Sequence, residues 1–220
     1  IVGFGTKAGV LPLHAWLPRA HPLAPAPVSA LMSGVMVKVA VYGLVRVLVE
    51  WTGPAPIWVG ALVLALGALS AVGGILYALF QRDLKKLLAF STIDNVGITF
   101  LGLGACLLFR AHGEDAWAAL ALGAALLHAL NHAAFKGLLF LGAGSLERAA
   151  GTVDLDRLGG MLRQAPWTGS AILVGCAAIA GVPPLNGFAS EWLTAQALLR
   201  LPAVGDVPDG ALGALSLAAL

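Results

Sequence analysis

Formal charge is scarce in this chain. Only 11% of its 220 residues are Asp, Glu, Lys or Arg, where a soluble domain carries about 25%. With 59% apolar residues and a mean hydropathy of +0.90, a globule of this length could not hide its apolar surface from water. A soluble enzyme and a disordered chain are therefore excluded. The net charge of +2 is too small for a groove that tracks phosphates, so no nucleic-acid partner is expected. The two cysteines, Cys106 and Cys176, lie far apart in apolar runs. Without a CxxC pair they give no support for a zinc or iron–sulfur site. Phosphate-cradling and dinucleotide-binding glycine motifs are also missing, so neither a cofactor nor a metal is expected. No leader with a charged start and an apolar centre opens the chain. It starts at Ile1 and ends within the apolar run Gly210–Leu220. It is expected to be a fragment, a single transmembrane domain over 1–220.

What is present is a series of apolar runs, each near the roughly 20 residues needed to cross a bilayer as helix. Ile57–Phe80 carries no formal charge, and Leu87–Phe109 is interrupted only by Asp94. Ala116–Phe135 continues past Lys136 toward Leu146, and Pro27–Val49 carries Lys38 near its middle. Gln164–Ser190 is free of formal charge but is interrupted by Pro183-Pro184. Ile1–Trp16 reads as the end of a further helix with Pro12 inside, and residues 210–220 as the start of another. The expectation is an all-α polytopic helix bundle with broken helices, five complete spans and two partial ones. The proline-rich connector Leu17–Pro27 is not expected to form regular helix. Arg19, Arg82, Lys85, Lys86, Arg148, Arg157 and Arg163 fall in one alternate set of connectors, and only Arg46, Arg110 and Arg200 in the other. That bias places the Arg19, Lys85 and Arg157 connectors in the cytoplasm.

The informative residues are the ionisable ones inside apolar runs, each costing about 2.5–3.5 kcal/mol on insertion scales. The bland readings are snorkelling to the interface or an inert buried pair. Lys38 lies about twelve residues into its span, roughly 18 Å deep, too far for snorkelling. His128, His132 and Lys136 fall at i, i+4 and i+8 on one helix face. Histidine titrates near neutrality and can hold a proton on either nitrogen. A stripe of this kind suits a relay. A metal held by His128 and His132 is the weaker reading, because no carboxylate or cysteine nearby completes the set. Asn131 adds a polar neighbour. Glu191 follows the break GVPPLNGF, and irregular backbone at membrane depth occurs where it is buried in protein or lines a cavity. Lys7, before Pro12, mirrors this arrangement and needs an acidic partner from another helix. Asp94, roughly 10 Å into its span, is either a pathway residue or a shallow structural partner. His14 and His21 are expected at the interface.

Four segments carry a resemblance: GTKAGVLPLHAWLPRAHPLAPAPVSALMSGVMVKVAVYGLVR, RDLKKLLAFSTIDNVGI, HALNHAAFKGLLFLGAGSL and GVPPLNGFASEW. In this order they resemble the antiporter-like proton-channel subunits of respiratory complex I, Mrp-type antiporters and membrane-bound hydrogenases. The wording STIDNVGI and PPLNGFASEW is most like the large membrane subunits of the formate hydrogenlyase and hydrogenase-4 type. The resemblance implies about fourteen helices with two inverted repeats of five, each holding a broken helix. This chain would then run from the broken helix of the first repeat through the second. It also implies that Lys7 is the central lysine of the first half-channel and Lys38 the bridging lysine. His128, His132 and Lys136 would lie on the central axis, and Glu191 in the second broken helix. The glutamate partner of Lys7 would lie on an earlier helix. Asp94 stands where relatives of the hydrogenase type have glutamate, which leaves its role open.

The expected function is a proton-translocating, or sodium-coupled, subunit in the cell inner (plasma) membrane. It would be driven by a peripheral redox module and would contact other membrane subunits and lipid. Protons would be taken up near the Arg82–Lys86 connector and pass Lys7, Lys38, the His132–Lys136 stripe and Glu191. The rivals are a Na⁺/H⁺ antiporter without redox partners, a non-conducting anchor for a soluble redox module, and, more distantly, a solute permease.

Overall fold

A computed structural model describes residues 1–203. The further span expected over residues 210–220 lies outside them. Helices α1 (Val2–Ala8) and α2 (Leu17–Leu23) lead into α3 (Ala26–Trp51), which contains π turns at Met32–Met36 and Arg46–Trp51. Then follow α4 (Ile57–Leu79), α5 (Leu84–Ala111), α6 (Asp115–Ala150), the single turn α7 (Met161–Gln164), α8 (Pro166–Ile179) and α9 (Asn186–Arg200). Four of these, α3 to α6, are long and apolar enough to cross a membrane. At 1.5 Å per residue, α6 is roughly 54 Å long against a hydrocarbon layer of about 30 Å. It therefore tilts or projects from the layer.

The expected fifth span, Gln164–Ser190, is instead two half-helices. Each of α8 and α9 is roughly 21–23 Å long, too short to cross alone. The backbone turns at Gly181, whose φ of 63° lies in the left-handed region, and passes Pro183-Pro184, which supply no N–H. The N-terminal segment is broken in the same manner. α1 stops at Gly9 with φ of 81°, and the Gly9 N–H donates to Gly5 O and Thr6 O. The Leu11 N–H then donates to Ser70 Oγ at 2.9 Å, and Trp16 Nε1 to Thr6 O at 2.7 Å. Contrary to expectation, the proline-rich stretch after it contains a helix, α2. Pro18 sits in the first turn, where no N–H is needed, and Pro22 falls in the last turn. The chain leaves α2 through Ala24, extended at φ −79°, ψ 144°, as the residue before Pro25 must be.

Outward faces of α3 and α4 are apolar: Leu31, Val35, Val39, Leu69, Leu76 and Leu79 are exposed. Inward, α4 and α5 pack along their length through small residues, which let backbones approach without polar help. Gly60, Gly67 and Gly74 recur every seven residues on α4, where they face Leu108, Gly97 and Asp94 of α5, while Gly104 of α5 faces Leu64. A Cβ added at Gly67 would stand 2.7 Å from Leu101 N, and one at Gly104 2.5 Å from Leu64 N. The same would happen at Gly74 against the Asp94 backbone and at Gly97 against that of Ala71.

The positively charged connectors meet at one end of the bundle. Leu84 N donates to Val153 O at 3.0 Å and Leu155 N to Arg82 O at 2.8 Å. The side chains of Arg82 and Asp156 pair at 3.1 Å. Arg19 shares a cleft with Gln81 and Lys86. Lys85 Nζ meets Glu147 Oε2 at 2.7 Å, with side-chain exposures of 6% and 43%, and also reaches Ala24 O at 3.5 Å. Asp83 caps α5 by accepting from Lys86 N at 2.9 Å. The alternate connectors grouped by the sequence thus share one face of the molecule.

Two stability outcomes are expected in thermal melts of the purified protein in detergent. Gly67→Leu should cost about 1–3 kcal/mol through overpacking, and Gly123→Leu, at a position open to space, almost nothing. Glu147→Gln should cost about 1–3 kcal/mol, less than a fully buried pair because Glu147 keeps water. The double replacement Lys85→Met, Glu147→Leu should melt above Glu147→Gln alone.

Candidate functional site

The site is organised by α6. Its residues His128, His132 and Lys136 lie on one face and are all fully buried. The rings of His128 and His132 are 6.3 Å apart, centroid to centroid. Lys38 reaches this face from α3, and its Nζ stands 2.7 Å from His132 Nδ1. The same Nζ donates to Ser33 O at 2.6 Å, a carbonyl within the π turn Met32–Met36. A π turn widens the backbone ladder and is frequent at functional positions. Here it precedes Lys38 and offers the ammonium a second partner. The outer side of Lys38 borders an apolar cleft of about 400 Å³ between α3 and α6.

From His132 the file extends both ways along α6. One turn earlier, His128 Nδ1 lies 3.1 Å from Ser190 Oγ on α9. Asn131 Nδ2 donates to Asn186 O at 2.7 Å and to Ser190 Oγ at 3.2 Å. Asn186 is the first residue of α9, so these bonds fasten α6 to the helix break. One turn later, Lys136 Nζ donates to Leu88 O at 2.8 Å and to Ser91 Oγ at 2.5 Å on α5. Ser33 and Thr92 join α3 to α5 nearby, with their hydroxyls 2.8 Å apart. Among the described residues no group of three or more His, Cys, Asp or Glu is placed to hold a metal.

The structure brings together Lys38, His128, His132 and Lys136. Lys136 turns toward α5, where Leu88 O and Ser91 Oγ hold its ammonium. Glu191 sits on the break itself. A Cβ at Gly181 would strike its carboxylate, and one at Gly187 the Ala178 carbonyl, so these two glycines let α8 and α9 close on each other. Glu191 is half-buried and has no hydrogen bond to a described residue. Lys7 is exposed and stands apart from the file. Asp94 is half-buried on α5, three residues from Ser91, and accepts from Asn95 Nδ2 at 3.4 Å.

His21 overturns its expected interfacial position. It is fully buried and stacks on Phe140 at 4.7 Å, because α2 folds inward over α5 and α6. His14 is only half-buried. The residues that charge-based reasoning passed over are Ser33, Ser91, Asn186 and Ser190. Their signal was present: Ser91, Thr92, Asn95 and Thr99 recur at helical spacing in an otherwise apolar run. An uncharged hydroxyl costs too little in a membrane to stand out.

A polytopic helix bundle with two broken helices around a buried file of protonatable side chains is the architecture of a membrane protein. The chain belongs to the NADH:quinone oxidoreductase/Mrp antiporter transmembrane family, whose description matches residues 1–204. It is 51% identical over 208 residues to hydrogenase-4 component B of Escherichia coli K12, covering 93% of this chain and 31% of that protein. To formate hydrogenlyase subunit 3 of the same organism it is 44% identical over 215 residues, covering 98% and 35%. In three dimensions it resembles a chain of the Mrp complex from Dietzia sp. DQ12-45-1b, with a TM-score of 0.80 and 27% identity, over 100% of this chain and 38% of that one. The chain thus spans about a third of the length of these curated relatives.

Ser190 serves both His128 and Asn131. Ser190→Ala should destabilise the folded protein by about 1–3 kcal/mol, as expected when buried polar groups lose a partner. A lowered melting temperature with unchanged helical content by circular dichroism is the expected result.

Proposed function

We propose that this chain forms part of a proton-translocating membrane subunit driven by electron transfer in a peripheral redox module. The observation that carries the reading is the contact of Lys38 Nζ with His132 Nδ1 at 2.7 Å. It joins two helices through groups that each bind and release a proton. In such a contact a proton moves from ammonium to imidazole without either group leaving its place. His128 and His132 each keep an Nε2 that no described group engages, through which a water can link them. Lys38, His132 and His128 form the central run, Glu191 at the helix break exchanges protons with one end, and Lys136 leads to the other. Lys7 belongs to the preceding half of the pathway and takes its counter-charge from a helix outside this chain. Charge at one site changes the next through the low dielectric between them, which is how a distant redox event would drive the sequence. The convergence of Arg19, Lys85 and Arg157 connectors at one end supports placing that end in the cytoplasm, with the protein in the inner (plasma) membrane. Relatives in hydrogenase and formate hydrogenlyase systems support a multisubunit redox complex.

The likeness to an Mrp complex favours a second reading, Na⁺/H⁺ exchange. Sealed inverted vesicles carrying the whole complex separate the two. Donor-driven acidification of the vesicle interior should be lost in Lys38→Ala and in Glu191→Gln, with the complex still assembled. Full acidification in both variants leaves only the anchor role. Proton flux driven by a sodium gradient with no electron donor establishes the exchanger.

A further inference from the structure

A cavity of about 570 Å³ adjoins the charged connectors and runs between α4, α5, α6 and α8, with Ile75 and Leu79 of α4 along its outer side. Gln81 and Leu155 lie at its connector end, and Ser91, Asp94 and Cys176 line it deeper in. At about 30 Å³ each, it has room for on the order of twenty waters. Its walls are largely leucine and isoleucine, so the polar groups on α5 stand out. Ser91 and Asp94 are three residues apart on a helix and therefore share a face. Ser91 Oγ is also the group that accepts from Lys136 Nζ at 2.5 Å. The Asp94 carboxylate forms no ion pair with a described residue; its neighbour Asn95 is its hydrogen-bond donor, at 3.4 Å. One hydroxyl is thus shared between a cavity that adjoins the connector face and the buried ammonium that ends the central file.

We propose that this cavity is a water-access branch to Lys136, with Asp94 as the carboxylate that loads the proton and Ser91 as the hydroxyl that passes it on. This deepens the proton-translocation reading and rests on it. A hydronium in the cavity gives its proton to the Asp94 carboxylate, leaving water and a neutral acid. The acid then gives that proton through a water to Ser91 Oγ, while the Ser91 hydroxyl proton moves to the free amine of Lys136. Asp94 is again a carboxylate, Ser91 again a hydroxyl, and Lys136 an ammonium. The next transfer, toward His132 one turn away, restores the amine. The inner end of the cavity, at Ile179 and Ala180, adjoins the Gly181 turn against which the Glu191 carboxylate packs.

Two measurements on the whole complex in sealed vesicles test this. The first asks whether the cavity is wet, using a charged, membrane-impermeant methanethiosulfonate. The reagent is applied from the face on which an Arg157→Cys probe reacts. Cys176 and an introduced Ala180→Cys should both react from that face, read as labelling of this subunit above that of Cys176→Ala, whose remaining Cys106 is buried. No reaction at either position means that hydrocarbon or another helix fills the cavity, and the proposal fails. The second is donor-driven acidification. Asp94→Asn should lose it and Asp94→Glu should retain it. Wild-type acidification in Asp94→Asn overturns the proposal, while loss in Lys38→Ala leaves the general reading standing. Wild-type acidification in both Asp94→Asn and Lys38→Ala overturns that reading instead. If Asp94→Asn fails to assemble, the labelling of the wild-type protein decides.

Discussion

An ammonium group in hydrocarbon must have partners from its own protein, and the arrangement of the central helices follows from that constraint. Lys38 could not remain at its depth on an isolated α3. It requires a facing helix with an acceptor at the same level, and α6 provides His132 there. Lys136 imposes the same demand on α5, met by Leu88 O and Ser91 Oγ. The two lysines thereby fix α3, α6 and α5 relative to one another in both height and rotation. Apolar packing alone would leave the rotation of such uniformly apolar helices weakly specified. The costly groups that mark the site are also the ones that specify its geometry.

The sequence revealed most of what depends on length and charge. The four long helices are found within a few residues of their expected limits, because an uninterrupted apolar run has few other stable forms. The breaks at Pro12 and at Pro183-Pro184 were visible for the same reason. The stripe of His128, His132 and Lys136 was legible because helical spacing alone places three residues on one face. The sequence could not show which helix each face addresses. Lys38 meeting His132, and Lys136 turning toward α5, are matters of packing between segments distant in the chain. The burial of His21 was misjudged because two prolines concealed α2. Pro18 costs nothing in the first turn, and Pro22 forfeits a single bond near the end of a short helix. Ser91 and Ser190 went unread because a hydroxyl can bond its own helix and so signals little by itself.

Family membership and the geometry of the site contribute different things. The likeness to hydrogenase-4, formate hydrogenlyase and Mrp proteins places the chain among antiporter-like membrane subunits. It does not distinguish which of the buried groups are joined. The distances do so: Lys38 and His132 are in contact, Ser190 ties His128 to the break, and Glu191 and Lys7 stand further out. Lys38, His132, His128 and Lys136 are each held by partners on a second helix, whereas Glu191 is half-buried and Lys7 exposed.

The glycine contacts between α4 and α5 bear on how motion could travel through this protein. Backbones that meet at Gly67, Gly74, Gly97 and Gly104 interlock like the teeth of two combs, and sliding by even part of a turn would drive Cα against carbonyl. The pair must therefore behave as a rigid plate. Both broken segments are in turn tied to the long helices, the first by Leu11 N on Ser70 Oγ of α4 and the second by Asn131 Nδ2 of α6 on Asn186 O, so the plate and the breaks are held as one framework.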